Sequence, residues 1–288
     1  MKTHIVDGVT VRGYAHILSG KERQDAVLTF QEKAYSALIV CDGHGGDKYF
    51  RSAVGAQIAC EVGKDSISQF MRTLRKDRFA KYDFTKSRSK REEMLFQLQR
   101  AVIQYWADCV NNDILANPFE SDQRFVELVD SDKAALVTNP IKAYGTTFVA
   151  AVCCKEFLIV LKLGDGNVCA FDGETMEILD HTRAELADEQ LQFNMTTSLC
   201  GSHADIEFKH YFRQLDNKTQ LQGLVITTDG IINSFKTEQA YKAFITNIFS
   251  GYREDGIQKA HDDLADFLPR LSEKGSGDDL SVAIMTVV

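Results

Sequence analysis

The stretch Val40-Cys41-Asp42-Gly43-His44-Gly45-Gly46 places a carboxylate, a histidine and three glycines within seven residues. It continues directly from the apolar run 37–41, which predicts a buried strand. A strand that ends in aspartate and then turns on glycines holds the carboxylate firmly and leaves the neighbouring backbone accessible. Hard divalent cations prefer carboxylate, carbonyl and water oxygens. The stretch therefore predicts a metal site at the end of a strand.

Further acidic residues stand beside glycine at the ends of other strand-like runs. They are Asp25, Asp165, Asp229 and the pair Asp278-Asp279. A single aspartate in such a place is an ordinary turn residue. Several of them at strand ends can converge in space, where carboxylates repel one another unless cations neutralise them. The set favours a metal-dependent hydrolase with two cations and one bridging carboxylate.

The bulk composition is that of a soluble globular protein. The chain has 288 residues, of which 44% are hydrophobic and only three are proline, so we expect one domain over residues 1–288. The net charge of −8 disfavours nucleic acid or an anionic membrane as the partner. No run approaches the roughly 20 apolar residues that span a bilayer. Seven cysteines without metal-type spacing indicate a reduced, cytoplasmic protein.

The hydrophobic pattern predicts an α+β fold rather than a regular βαβ alternation. Helical periodicity recurs at 50–62, 94–110 and 257–271, and a shorter helix is expected at 237–249 with Thr237 as its cap. Residues 72–91 contain nine Lys and Arg, interpreted as a solvated helix end and loop. Strands are predicted at 9–17, 26–30, 35–41, 146–154, 157–163, 168–171, 223–228 and 280–288.

Five motifs follow one another in the order found in metal-dependent protein serine/threonine phosphatases of the type 2C family, which the chain resembles from about residue 8 onward. Residues 19–26 also resemble the first motif of that family, in the variant that ends Gln-Asp. The resemblance implies a four-layer α-β-β-α sandwich of two antiparallel sheets flanked by helices. It also implies two Mn²⁺ or Mg²⁺ ions at one end. The five motifs are Asp42-Gly43-His44-Gly45-Gly46, Tyr144-Gly145-Thr146-Thr147, Gly164-Asp165-Gly166, Thr228-Asp229-Gly230 and Gly277-Asp278-Asp279-Leu280-Ser281-Val282.

The resemblance also implies roles for individual residues. A water that bridges the two metals would attack phosphorus in line, and His44 would protonate the leaving oxygen. An alternative for His44 is that it only hydrogen-bonds its neighbours in the turn. The implied ligands are Asp42, which bridges both metals, the Gly43 carbonyl, Asp229 and Asp278, with Asp25 holding metal-bound waters.

Some positions depart from the family pattern. Gly20 and Gln24 occupy the places of an arginine that clamps phosphate and of a glutamate. Lys21 or Arg23 could take over phosphate binding, and a solvated role is the alternative for each.

Three further departures bear on the metals and on the substrate. Lys142 and Asn233 stand where a third metal would need carboxylates, which argues against that metal. Asp279 replaces a common asparagine and adds charge near the site. The flap at 181–206, which would shape substrate choice, diverges from the family.

The leading hypothesis is a cytoplasmic phosphatase that acts on phosphoserine or phosphothreonine in a phosphoprotein. Two alternatives stay open at this point. One is an inactive pseudophosphatase that serves as a regulatory binding module, and the other is a phosphatase of small molecules. The carboxylate set Asp42, Asp229 and Asp278 argues against a pseudophosphatase, because clustered carboxylates lower stability when no metal is bound.

Overall fold

The computed structural model describes residues 4–173, 175–179, 197–215 and 221–287. The strands form two five-stranded sheets in which all neighbouring pairs are antiparallel. The strands are β1 (His4–Val11), β2 (Ala26–Glu32), β3 (Tyr35–Cys41), β4 (Phe148–Cys154), β5 (Phe157–Leu163), β6 (Asn167–Asp172), β7 (Thr175–Ile178), β8 (Lys209–Gln214), β9 (Leu221–Thr227) and β10 (Leu280–Val287). Sheet A has the order β1-β10-β9-β6-β7, and sheet B has the order β2-β3-β4-β5-β8.

Helices cover the outer faces of both sheets. Two long helices, α2 (Ser52–Lys76) and α4 (Arg88–Ala116), pack on sheet B, and α9 (Glu238–Glu254) and α10 (Ile257–Lys274) pack on sheet A. Within the described ranges no helix has the length and apolar character needed to cross a membrane. The remaining helices are α1 (Tyr14–Ser19), α3 (Arg78–Lys86), α5 (Gln123–Val126), α6 (Asp130–Thr138), α7 (Ala204–Glu207) and α8 (Asp229–Asn233).

Strand β3 shows why the layers form. Every residue of β3 is buried, because alternate side chains point to opposite faces of a strand and both faces are covered. Leu38 and Val40 pack between the two sheets, whereas Ala37 and Ile39 pack against the helices outside sheet B. These layers confirm the expected α+β sandwich of two antiparallel sheets flanked by helices.

The strand register brings the acidic motifs to one end of both sheets. In sheet B, Ala26 pairs with Cys41, so Asp25 and Asp42 lie side by side at the strand ends. Thr227 in sheet A pairs with both Asn167 and Val282, which carries the Asp229 and 278–279 motifs to one end of that sheet. The chain crosses from sheet B to sheet A between β5 and β6, at residues 164–166. The Gly-Asp-Gly motif therefore sits at the junction of the two sheets.

The structure corrects the predicted strand at 9–17, which is wrong beyond Val11. A Cβ at Gly13 would lie 2.4 Å from the carbonyl carbon of Asp278, and the Gly13 N–H donates to the Asp279 carboxylate at 2.6 Å. This long-range contact, which local periodicity cannot reveal, takes the chain out of the sheet and into α1. The other predicted strands are confirmed to within two residues at each end, with Val288 outside the described residues.

The basic segment 72–91 is also more ordered than predicted. Its middle is helix α3, which begins after Asp77 because the Asp77 carboxylate accepts hydrogen bonds from the N–H groups of Phe79 and Ala80. Phe84 anchors α3 in the core. Thr237 is confirmed as the cap of α9, since its hydroxyl accepts from the Ala240 N–H at 3.2 Å. Elements that the sequence pattern did not predict are β7, β8, α1 and α5 to α8.

Candidate metal centre

Three carboxylates meet where the ends of the two sheets face each other. Asp42 follows β3, Asp165 follows β5 and Asp229 begins α8 directly after β9. One oxygen from each lies within 4.8 Å of the others, a spacing at which a single cation can contact all three. Asp42 and Asp229 were predicted as ligands and are brought together, whereas Asp165 was left out of the predicted ligand set.

Asp165 is held in place by the glycine before it. Gly164 has φ +112°, and a Cβ there would lie 2.5 Å from the Cβ of Thr147, so the backbone at this point favours glycine. The signal in the sequence was present, because Gly164-Asp165-Gly166 follows a strand in the same way as the Asp42 motif. One Gly-Asp-Gly is also a common turn sequence, so this motif alone does not predict a ligand.

The Gly-Thr-Thr motif fixes the backbone of Asp42. The Thr147 N–H and the Thr146 hydroxyl both donate to the Asp42 carbonyl, at 2.8 and 2.9 Å, and the Asp42 N–H donates to the Thr147 hydroxyl at 2.9 Å. Three hydrogen bonds leave the Asp42 carboxylate free to face the site while its backbone is immobile. The structural role of the Gly-Thr-Thr motif is therefore to hold the Asp42 backbone in place.

Asp25 and Asp278 flank this group without joining it. Asp25 is buried, and its carboxylate accepts a hydrogen bond from the Thr228 hydroxyl at 2.8 Å. Asp278 is exposed and lies close enough for its charge to act on Asp42 and Asp229. Gly43 runs beside the Gln24 carbonyl, which would be 2.7 Å from a Cβ at this position, so only glycine fits.

The crowded carboxyls have strongly perturbed acidities. Burial, and after it the charges of neighbouring carboxylates, raises the pKa of Asp42 well above its ordinary value. The same causes raise the pKa of Asp25 to about 8. Burial also raises the pKa of both Asp229 and Asp278. When no metal is bound, protons rather than cations therefore neutralise the negative charge of these carboxylates.

The residues present fit a hard divalent cation. All the converging side chains are carboxylates, the donor type that Mg²⁺ and Mn²⁺ favour. The buried Oδ1 of Asp229 accepts no hydrogen bond from any described residue, while its Oδ2 accepts from the Asn233 amide at 2.9 Å. An oxygen that is buried without a donor is what a metal ligand requires. Asn233, which stands where a third metal would need a carboxylate, thus orients the Asp229 carboxylate.

Gln24 holds the glycine turn. Its Nε2 donates to the His44 carbonyl at 3.1 Å and to the Ser52 hydroxyl at 2.7 Å, and that hydroxyl donates in turn to the same carbonyl. A glutamate has no N–H to donate, so it could not make these contacts. The departure at Gln24 therefore supports the position of His44.

His44 lies in the turn with its ring against Tyr49, at 4.8 Å between ring centroids. Burial lowers the pKa of His44 below its ordinary value of 6.5, and the nearby charge of Asp165 offsets this only in part. The imidazole is therefore mainly neutral at pH 7 in the metal-free protein.

The two predicted phosphate-binding cations lie near the turn. The Lys21 Nζ donates to the Gly45 carbonyl at 2.8 Å, and the Arg23 Nε donates to the Asp25 carbonyl at 3.2 Å; both residues are exposed. Gly20 ends α1 with φ +75°, a left-handed conformation that favours glycine, which accounts for the absence of arginine there.

Asp279 joins the two ends of the chain beside the carboxylates. Its Oδ1 accepts from the Gly13 N–H at 2.6 Å and contacts the His16 Nδ1 at 3.0 Å. Its Oδ2 accepts from the N–H groups of Gln24 and Asp25, at 2.5 and 3.3 Å. Burial alone would raise the pKa of Asp279, but these hydrogen bonds outweigh it and the pKa is lowered. Asp279 thus positions Asp25 rather than adding a free charge to the site.

The family model described as Protein phosphatase 2C matches residues 12–269. The chain belongs to the protein phosphatase 2C family. This is a family of metal-dependent phosphatase enzymes that act on phosphoserine and phosphothreonine. No match was found among curated protein sequences.

Solved structures of the 2C family share the fold at low sequence identity. A bacterial serine phosphatase matches with 15% identity and a TM-score of 0.57, over 99% of this chain and 98% of the other. PppA, described as a key regulatory component of T6SS in Pseudomonas aeruginosa, matches with 13% identity, a TM-score of 0.57 and the same coverages. The catalytic domain of PstP, solved with two manganese ions, matches with 14% identity and a TM-score of 0.55 over 100% of both chains.

The raised pKa values of these carboxyls make the stability of this 2C phosphatase depend on pH and metal. Because these carboxyls have a higher pKa in the folded than in the unfolded chain, the free energy of unfolding in EDTA should fall as pH rises from about 5 to about 8. The fall should be on the order of several kcal/mol. Added Mn²⁺ should restore stability at pH 8, and Asp42→Asn should flatten the pH dependence and abolish Mn²⁺ binding.

Urea unfolding with and without Mn²⁺, together with calorimetry, measures both effects. Asp172→Asn, at an exposed position, is the control and should behave as wild type. A wild-type slope or an unchanged Mn²⁺ affinity in Asp42→Asn would remove Asp42 from the site.

Asp279→Asn should damage the protein although the change is nearly isosteric. Both oxygens of Asp279 accept hydrogen bonds from N–H groups, so the amide nitrogen of an asparagine must face donors on one side. We expect a loss of about 2–4 kcal/mol in the free energy of unfolding, and weaker Mn²⁺ binding because Asp25 shifts. The exposed Asp266→Asn is the control. Wild-type stability for Asp279→Asn, measured by urea unfolding, contradicts this role.

Proposed function

We propose that this chain hydrolyses phosphoserine or phosphothreonine in phosphoproteins, using two divalent cations, Mn²⁺ or Mg²⁺. The single observation that carries the proposal is the approach of Asp42, Asp165 and Asp229 to within 4.8 Å around a buried oxygen without a donor. A binding module would gain nothing from this arrangement, which lowers stability without metal. The pairing of β1 with β10, near the two ends of the chain, supports a single catalytic domain.

The proposed ligands divide between the two sheets. Bound cations would supply an acidified water as nucleophile and would neutralise the phosphoryl oxygens. Asp25, fixed by Thr228 and by the Asp279 contacts, would orient water in the site. The cations would be held by Asp42, the Gly43 carbonyl, Asp165, Asp229 and Asp278.

Two kinds of residue would act on the substrate. The Lys21 ammonium donates to the Gly45 carbonyl at 2.8 Å and to the Asp47 carboxylate at 3.5 Å, which leaves its third hydrogen for a phosphate oxygen, with Arg23 as the second exposed cation. His44 would donate a proton to the leaving seryl or threonyl oxygen. Its place in a turn fixed by Gln24 and Ser52 supports this role.

Hydrolysis of a phosphothreonine peptide tests the proposal. Wild type should turn the peptide over in Mn²⁺ and not in EDTA, and Asp229→Asn should lower kcat by about 100-fold or more because a ligand is lost. Asp266→Asn should leave the rate unchanged. If folded wild-type protein shows no turnover in Mn²⁺ with any phosphopeptide, the chain is a binding module.

His44→Ala separates proton donation from other roles. The variant should slow phosphoserine peptides by about 100-fold and p-nitrophenyl phosphate by less than about 10-fold, because nitrophenolate leaves without a proton. The wild-type advantage should grow as pH falls from about 8 to about 6, because the lowered pKa keeps the His44 imidazole mainly neutral at pH 8 and its protonated, proton-donating fraction rises as the pH falls. His210→Ala is the control. Equal losses on both substrates at all pH values would leave His44 a turn residue only.

A further inference from the structure

A cavity of about 680 Å³ opens beside the glycine turn. Gly45, the residue after His44, lines one side of it, and residues from α5, from α6 and from the link 127–129 between them line the other. Phe50 and Leu128 are apolar lining residues that are only 7% and 8% exposed. The cavity therefore adjoins the place where a phosphorylated side chain would enter the metal centre.

The two cations in the lining are already paired with carboxylates. The Lys21 Nζ lies 2.8 Å from the Gly45 carbonyl and 3.5 Å from the Asp47 carboxylate. The Arg124 guanidinium binds the Glu22 carboxylate at 2.7 Å. Because both cations are paired, Lys21 and Arg124 give the cavity no excess of positive charge.

Two further carboxylates in the lining have no such partner. In the part of the chain that the structure describes, no Lys or Arg forms an ion pair with Glu127 or Asp132. Glu127 accepts a hydrogen bond from the neutral Gln123 amide at 2.9 Å. Asp132 stands in the first turn of α6. The cavity is therefore negative on the side that faces the glycine turn.

An unsatisfied acceptor lies on the side of the turn. The Gln24 side chain lines the cavity and is 7% exposed, and both hydrogen bonds from its Nε2 are made. Its Oε1 is buried and accepts no hydrogen bond from the described residues. This oxygen faces Gly45, where a Cβ would stand 3.7 Å from it. A buried acceptor without a donor favours a ligand that brings N–H groups.

We infer that this cavity binds a lysine or arginine side chain of the phosphoprotein substrate, close in sequence to the phosphorylated residue. The inference rests on the proposed function. Ammonium and guanidinium groups carry donors only, which matches the Glu127 and Asp132 carboxylates and the Gln24 oxygen. The aliphatic stem of such a side chain packs against Phe50 and Leu128. An acidic side chain at the same place is repelled.

Peptides that differ in one charge test the inference. A fluorescent series carries a non-hydrolysable phosphonate in place of phosphoserine, and arginine or its neutral isostere citrulline at each of the four positions on either side. Fluorescence anisotropy in Mn²⁺ then measures Kd without turnover. We expect arginine to bind about 3- to 10-fold more tightly than citrulline at one or two positions, in keeping with partly exposed ion pairs.

A matched pair of variants assigns the preference to the cavity. The double change Glu127→Gln and Asp132→Asn should abolish the difference between arginine and citrulline. Asp130→Asn is the control, because Asp130 shares the first turn of α6 with Asp132 but does not line the cavity. It should keep the preference. Equal affinity of wild type for arginine and citrulline peptides at every position overturns the inference, and so does an equal loss in Asp130→Asn.

Failure of the proposed function gives a different result. If wild type prefers arginine but does not hydrolyse the corresponding phosphopeptides, the inference about the cavity is supported and the proposed catalytic function is contradicted. If wild type hydrolyses phosphopeptides without regard to charge, catalysis stands and the inference about the cavity falls. Hydrolysis of p-nitrophenyl phosphate should be unchanged in the double variant, because that substrate carries no group that reaches the cavity.

Discussion

Carboxylates held within 4.8 Å of one another repel strongly in a partly buried site, and this repulsion is the constraint around which the rest of the molecule is arranged. The strand ends cannot relax apart, because Asp42 is tied to Thr146 and Thr147 and Asp25 to Thr228. The antiparallel sheets thus serve as a frame that keeps like charges together. Burial, and after it the charges of the neighbouring carboxylates, raises the pKa of Asp25 and Asp42, so these carboxyls hold their protons more strongly. A cation that binds the folded chain would relieve the same repulsion and stabilise the fold.

The structure explains three positions at which the chain departs from the family pattern. Gly20 occupies a left-handed helix end, Gln24 donates hydrogen bonds that glutamate cannot make, and Asn233 orients Asp229. Each difference is a local solution to a backbone or hydrogen-bond requirement. The acidic residues of the motifs are thus present in this chain, while the residues that support them differ from the family pattern. From the motifs alone, these three differences would be interpreted as losses of function.

Much of the fold could be predicted from the sequence because its determinants are local. The apolar run in β3 and the glycines after it predicted both the strand and the carboxylate at its end, and the period of four in α2 predicted that helix. What could not be predicted depends on contacts between distant residues. The turn at Gly13 is set by Asp279, which is 266 residues away. The sequence shows that Asp165 follows a strand, but only the crossing between the sheets at 164–166 shows that it reaches Asp42 and Asp229. The cavity lining at 124–132 likewise depends on where two short helices pack, and their sequences have no strong periodicity.

The bonds from Asp279 to Gly13 and Asp25 span 266 and 254 residues, among the longest sequence separations in the molecule. Closing such a loop costs conformational entropy before the contact that closes it can form. Folds with many contacts between distant residues therefore form slowly. The metal centre therefore cannot assemble in stages along the chain. Sheet A is complete only when β10 inserts between β1 and β9, and the same step delivers Asp278 and Asp279. The pairing of β10 with β1 and β9 is therefore one requirement for completing both sheet A and the set of carboxylates beside it.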